Sequence, residues 1–213
     1  EIYGVVEELP SLTENPKYLM NENDALSMDF KNQKVVVLGG GDTAMDCVRT
    51  ALRQGAKKVT CVYRRDFENM PGSRKEVKHA MEEGVEFLFN HQIVEAKGDD
   101  KLSELIAEET ELFGNDGSGR KKPKVKEGTQ KKIELDKLVI AFGYQASPQE
   151  FFTNKKINVD DWGLIQLNND KFKYQTSNEK YFAGGDMIIG SSLAVYAIAH
   201  GRDAAKEIIK YLN

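Results

Sequence analysis

The residues Gly39-x-Gly41-x-x-Ala44 have the spacing that turns a chain sharply into a helix and lets its backbone lie close to an anion. A bound pyrophosphate needs backbone N–H groups at a helix N-terminus, and glycine lets the chain turn and approach it. Ala44, standing where a third glycine is common, still allows close packing of helix on strand. Gly39, Gly40, Gly41, Asp42, Thr43 and Ala44 therefore form a candidate dinucleotide cradle. A glycine triplet alone is more often a plain turn. What selects the site here is the order of strand, turn, helix and second strand around it.

The end of that second strand decides which dinucleotide suits the cradle. An NAD site wants a carboxylate there to accept from the ribose 2′-OH. This sequence offers Arg64 and Arg65, whose guanidinium groups suit a 2′-phosphate through charge-assisted and often bidentate contacts. NADPH is the expected cofactor, with Asp66 keeping NAD open. Arg74 and Lys75 either add positive charge to the same pocket or face solvent. A second signal is Ala183-Gly184-Gly185-Asp186, where Asp186 either accepts from a ribitol hydroxyl or caps a helix.

No other side chains present a reactive constellation. His79, His91 and His200 read as surface or packing residues, and Cys47 and Cys61 lack the C-x-x-C spacing of a dithiol reductase. Two cysteines are too few for a disulfide scaffold or an iron–sulfur cluster. Lys and Arg number 30 against 34 Asp and Glu, a net charge of −4, which argues against a general nucleic-acid binder. The longest apolar stretch, 187–199, falls short of the about 18 residues of a membrane span. Glu1-Ile2-Tyr3-Gly4 is neither basic nor followed by an apolar run, so no signal peptide is expected and a reducing, cytoplasmic setting is the default. The absent initiator Met points to a fragment or a processed product.

The elements that must position these residues follow from periodicity. Lys34-Val35-Val36-Val37-Leu38 is a β-branched run suited to a strand buried on both faces. From Asp42 the apolar residues Ala44, Met45, Val48, Ala51 and Leu52 take helical spacing, and Gly55 is a C-cap candidate. Residues 59–63 form a second strand. Ser73 is expected to cap a helix through about Glu83, with Glu76 at capping-box spacing, and 85–89 is a third strand. Residues 34–90 thus read as a right-handed βαβαβ unit.

Residues 91–138 break the alternation. Leu102–Phe113 and 131–138 are expected to pair antiparallel around the polar loop 114–130. Its basic cluster, Arg120, Lys121, Lys122, Lys124 and Lys126, could touch phosphates. Flanked by Glu108, Glu109 and Glu111, it reads first as a solvated hairpin. Residues 138–143 form another buried strand, and a helix is expected over 192–212. Residues 1–31 read as loops with one short helix around 16–20.

Four segments together carry a resemblance: Gly39-Gly40-Gly41-Asp42-Thr43-Ala44-Met45-Asp46-Cys47, Tyr63-Arg64-Arg65-Asp66, Asn69-Met70-Pro71-Gly72-Ser73-Arg74 and Ala183-Gly184-Gly185-Asp186. They resemble the C-terminal half of the small (β) chain of NADPH-dependent glutamate synthase, and the similarity runs over nearly the whole chain. The resemblance implies an α/β fold in which a Rossmann-like, doubly wound NADPH-binding domain (32–142), with an antiparallel β-hairpin excursion, is inserted in an FAD-binding domain. Residues 1–31 would belong to that FAD domain or to a linker, and 143–213 would be its C-terminal part. Asp186, with Gly185, would correspond to the flavin-contacting aspartate, and 190–194, including Ser192 and Leu193, to the helix start facing the isoalloxazine and pyrophosphate. Gly143 would correspond to the strand-end glycine near the cofactor interface.

The implied reaction is hydride transfer from NADPH to FAD, with electrons passed to a large (α) chain that forms glutamate from glutamine and 2-oxoglutarate. It requires no general base. The family's first FAD fingerprint and its clustered cysteines are absent from this chain. FAD is therefore expected in the intact parent, and iron–sulfur clusters only through its N-terminal part. A related flavoprotein with another acceptor, and a dinucleotide-binding module without turnover, are the alternatives. The FAD-domain strand expected around 181–183 would lose its sheet neighbours, so the isolated chain is expected to self-associate or to leave its C-terminal third poorly ordered.

Overall fold

The computed structural model describes residues 29–116, 119–143, 146–168 and 170–213. The helix expected around 16–20 lies outside them. The chain forms two compact units, Glu1–Gly143 and Tyr144–Asn213.

In the first unit the expected alternation is present. β1 (Lys34–Leu38), α1 (Asp42–Arg53), β2 (Lys58–Tyr63), α2 (Arg74–Glu82) and β3 (Glu86–Phe89) follow one another, and β8 (Lys137–Ile140) returns to pair with β1. The sheet is parallel with order β3-β2-β1-β8. Its strands are apolar on both sides because both sides are covered. Val35, Val37, Val59 and Cys61 pack against Met45, Val48 and Ala51 of α1 and Val77 and Ala80 of α2. Val36, Leu38, Val62 and Ile140 face the other way, onto Ile93, Ala96, Leu105 and Ala107.

That second cover is an antiparallel sheet rather than a layer of helices. It consists of β4 (His91–Gly98), β5 (Leu102–Phe113), β6 (Lys122–Val125) and β7 (Lys131–Glu134). β5 pairs with β4, with β7 and, through its outer end, with β6. The excursion is thus larger than one hairpin. β4 escapes a period-two reading because a register shift between Ile93 and Glu95 breaks its alternation. The stretch 131–138 is two strands. At Asp136 the chain changes sheets, with its N–H donating to Lys34 O at 2.9 Å and its Oδ2 accepting from Lys34 N at 2.7 Å.

Gly55, at φ +86, follows α1 as expected. The capping box does not form: Ser73 precedes α2 without a side-chain capping bond, and Glu76 turns to Arg49 of α1. Arg49 and Arg53 also bond Glu83, tying the two helices together along their exposed edge.

The second unit contains α3 (Phe151–Asn154), α4 (Asp186–Ile189) and α5 (Ala194–Leu212) around a small core of Ile157, Ile165 and Ala183. Residues 181–183 are not a ladder strand. They join the chain through a bridge between Gln175 and Phe182 and the bond from Ala183 N to Tyr174 O, 2.9 Å. α5 keeps its helical apolar spacing, yet only Ala204 is buried, and Val195, Tyr196, Ile198, Ile209 and Leu212 are exposed. α5 starts two residues later than the spacing suggested.

Candidate functional site

Strand order reverses at β1: the chain goes outward to β2 and β3, then comes back as β8 on the other side. Ligands of open α/β sheets bind beyond the carboxyl ends of the strands at such a point. Gly39, Gly40 and Gly41 occupy that place. Gly39 has φ +143, and a Cβ there would stand 2.2 Å from Ala141 O, just past β8. A Cβ at Gly40 would meet the Tyr63 ring at 2.5 Å. Packing therefore demands glycine at both positions.

Gly41 differs. Its φ of −88° and ψ of 177° suit any residue, and a Cβ there would meet nothing within 4 Å. Neither packing nor backbone conformation asks for glycine; what favours it here is its place at the N-cap and the room it leaves for the close approach of a ligand to the backbone. Gly41 is the N-cap of α1 and has no side chain with which to cap it. The first N–H groups of the helix, at Asp42, Thr43 and Ala44, lack intrahelical acceptors and point past it. This cradle fits a pyrophosphate.

The 71–73 segment closes over the same loop, which sequence reasoning did not reveal. Gly72 N donates to Gly40 O at 2.9 Å, and Ser73 N donates to Asp42 Oδ1 at 2.7 Å. Asp42 thus anchors the start of α2 beside the start of α1. Tyr63, packed on Gly40, donates its hydroxyl to Asn69 O at 2.8 Å. Cys61 donates its thiol to Gly39 O at 3.3 Å from beneath.

The cations expected around the 2′-phosphate are arranged unequally. Arg64 is half-buried, and its carbonyl accepts from Thr110 Oγ1 at 2.8 Å. Arg65 is buried, with its side chain only 6% exposed. It donates through Nη2 to Asp116 Oδ2 at 2.7 Å and through Nε to Lys121 O at 2.5 Å. Arg74 stacks over the Phe67 ring, 4.5 Å from its centroid, and donates to the Phe67 and Glu68 carbonyls. Both arginines are thus engaged within the protein. Asp66 is engaged too: its Oδ1 accepts from Asn69 N at 2.9 Å and from Asn69 Nδ2 at 2.7 Å, capping the 3-10 turn Phe67–Asn69. The carboxylate that kept NAD open is a local cap.

In the second unit Gly184 and Gly185 are glycines because α5 lies against them. A Cβ on Gly184 would stand 2.9 Å from the His200 Cβ, and one on Gly185 would stand 3.2 Å from the Ala197 Cβ. Gly185, at φ +72, donates its N–H to His200 Nδ1 at 3.1 Å. His200 therefore fixes the turn that presents Asp186, an exposed residue opening α4. Leu193 is the N-cap of α5 without a side-chain capping bond, and it and Ser192 are exposed. These orphan N–H groups suit an anionic or polar ligand. Gly143, at φ +94, has open space on its Cβ side at the end of the first unit.

Residues 5–201 match the pyridine nucleotide-disulphide oxidoreductase family. The chain belongs to that family. It is 46% identical over 217 residues to the glutamate synthase [NADPH] small chain of Halomonas elongata, an alignment covering 97% of this chain and 46% of that one. It is 37% identical to the NADP(+)-dependent formate dehydrogenase subunit beta of Moorella thermoacetica, covering 92% of this chain and 27% of that one. The chain therefore spans about half or less of the length of these relatives. Thioredoxin reductase from Lactococcus lactis superposes with a TM-score of 0.67 at 25% identity, over 85% of this chain and 54% of that one.

In this member of the pyridine nucleotide-disulphide oxidoreductase family both thiols are raised above the ordinary thiol range. Burial, then the neighbouring Cys47, pushes the Cys61 thiol up to about 12. Burial, then Asp46, pushes Cys47 up as well. Among the described residues no group of His, Cys, Asp and Glu is arranged to hold a metal, and no helix is long and apolar enough to cross a membrane.

Proposed function

We propose that this chain is the NADPH-binding, electron-input part of a flavoprotein of the glutamate synthase small-chain type, set in the cytoplasm. Residues 32–142 form the NADPH domain, and the start of the chain with 143–213 belongs to an FAD domain. When bound, NADPH supplies a hydride and FAD accepts it; the electrons then pass to a large chain that forms glutamate from glutamine and 2-oxoglutarate.

The protein's own contribution is binding and orientation. Gly39, Gly40, Gly41, Asp42, Thr43 and Ala44 hold the pyrophosphate on the start of α1. Arg64 lies at the end of β2, where the adenosine ribose of such a site belongs. Gly143, Gly185, Asp186, Ser192 and Leu193 are the residues offered to flavin. The observation that carries this reading is Gly41, a glycine whose Cβ side is open and whose backbone requires no glycine.

Calorimetric titration of the chain with NADP⁺ and then NAD⁺ at fixed salt tests it. NADP⁺ binding at least about tenfold tighter supports the reading. Equal or reversed affinities remove the preference for NADP⁺, and binding of neither removes the nucleotide site. The Moorella relative favours a second reading, the same electron input with a different acceptor. Glutamine-dependent glutamate formation by the complete protein mixed with a large chain separates the two. Tight NADP⁺ binding without dye reduction in that complete protein would instead mark a binding module.

A further inference from the structure

The end of β2 carries more than the sequence puts there. Two of the three arginines that the motif supplies, Arg65 and Arg74, are engaged by internal oxygens, as described above. A guanidinium that is 6% exposed and bonded through both Nε and Nη2 cannot also offer a fork to a phosphate. Arg64 remains at this corner, and the hairpin joining β5 to β6, fastened to it, brings further charge.

The fastening is specific. Lys121 is held by both of its peptide groups: its N–H donates to Asn69 Oδ1 at 2.9 Å, and its carbonyl accepts from Arg65 Nε at 2.5 Å. Asp116 binds Arg65 on one side and turns back on the hairpin on the other, its Oδ1 accepting from Arg120 N at 3.0 Å. Its Oδ2 also stands 4.0 Å from Arg120 Nε, so one carboxylate is shared by a buried and a 37% exposed guanidinium. Below this, the pairing of Phe113 with Lys122 closes the base of the hairpin. The Arg120 and exposed Lys121 side chains are thereby held within one residue of the bonds that grip the end of β2.

We propose that Arg120 and Lys121 are specificity-determining residues for the 2′-phosphate of NADP(H), acting with Arg64, and that Arg65 is a positioning residue that holds their hairpin over the end of β2. The inference rests on the nucleotide-binding reading above and deepens it. The basic hairpin is a recognition element rather than a solvated face, and the buried arginine contributes through the hairpin.

The test is calorimetry on the whole 213-residue chain and on its Arg120→Gln, Lys121→Gln double variant, with NADP⁺ and NAD⁺ at fixed low salt. Both changes fall on side chains outside the core, so the variant is expected to keep its thermal midpoint. The expected result is a loss of about tenfold or more in NADP⁺ affinity with NAD⁺ affinity unchanged within about twofold. The NADP⁺ affinity of the wild type should also fall more steeply with salt than that of the variant. Unchanged NADP⁺ affinity, or equal losses for the two nucleotides, would overturn the inference alone. A wild-type chain that binds neither nucleotide would overturn the nucleotide-binding reading as well.

Discussion

Gly72 donates its N–H to the carbonyl of Gly40 at 2.9 Å, and a methyl group on Gly72 would stand 3.0 Å from that same oxygen. The 71–73 turn is therefore seated on the glycine loop with no room for a side chain. The φ of Gly72 lies outside the left-handed region, so the cost of Gly72→Ala is contact and not backbone strain. We expect that variant to lose about 1–3 kcal/mol of stability as the Gly40 carbonyl gives way. Nucleotide affinity should fall with it, because the displaced peptide belongs to the cradle. Urea unfolding and calorimetry on one preparation check both, and a variant that matched the wild type in each would refute the seating.

Gly41→Ala makes the opposite separation. The added methyl meets no protein atom and the backbone accepts any residue there. Because Gly41 is the N-cap of α1, where glycine is preferred over alanine, stability should fall by no more than about 1.5 kcal/mol. Dinucleotide affinity should nevertheless drop by about tenfold or more, since the methyl enters the space in which a pyrophosphate would touch the backbone. An unaltered affinity would sink the close-approach argument for Gly41.

Arg65 is buried and its partner Asp116 half-buried, and removing one member of such a pair costs more than removing both. Asp116→Ala leaves a guanidinium with 6% exposure facing no carboxylate, at an expected cost of about 3–5 kcal/mol. Adding Arg65→Met removes the stranded charge and should restore much of that loss. Thermal or urea unfolding of the two variants checks it. Equal destabilisation of both would mean that packing by the arginine stem, and not its charge, holds the hairpin.

What the sequence disclosed follows the range of the interactions involved. The βαβαβ order, the glycine cradle and the Gly55 stop depend on neighbours within a few residues, and Leu102–Phe113 matches its expected bounds. Arg65 was legible as a cation but not as a buried one, because its partner Asp116 lies 51 residues away on a hairpin. The role of Gly72 was hidden in the same way: a Met-Pro-Gly turn announces a turn but not the peptide beneath it. β4 was missed because its register shift removes the alternation that marks a strand. The glycines at 184 and 185 were visible, whereas their cause, close packing on His200 and Ala197, was not.

Acid should loosen the edge where α1 meets α2. Glu83 is held below the usual carboxylate range by hydrogen bonds from Arg53 and then Arg49. A carboxylate whose pKa is depressed on folding contributes stability above its unfolded value, about 4.3, and loses that contribution as pH falls through the lower folded value. Glu83→Gln should therefore narrow the stability difference between pH 7 and the acid limb. Urea midpoints across that range check this, and parallel curves for the two proteins would count against it.

The similarity to a thioredoxin reductase raises the question of whether electrons could leave through cysteines, and the two thiols answer it. A dithiol route needs a thiolate, because the thiolate is the nucleophile. With its thiol pushed up to about 12, Cys61 is almost wholly protonated at neutral pH, and it is buried beneath Gly39. Cys47 is half-buried and raised as well. We expect a thiol reagent at pH 8 to leave Cys61 unmodified in the native chain and to label both cysteines once urea unfolds it. Cys47 should react more slowly than a free thiol. Rapid labelling of both in the native state, or a Cys47–Cys61 disulfide that NADPH reduces, would return a dithiol route to consideration. Protection of Cys61 would leave the nicotinamide-to-flavin path as the electron route that this chain's own groups support.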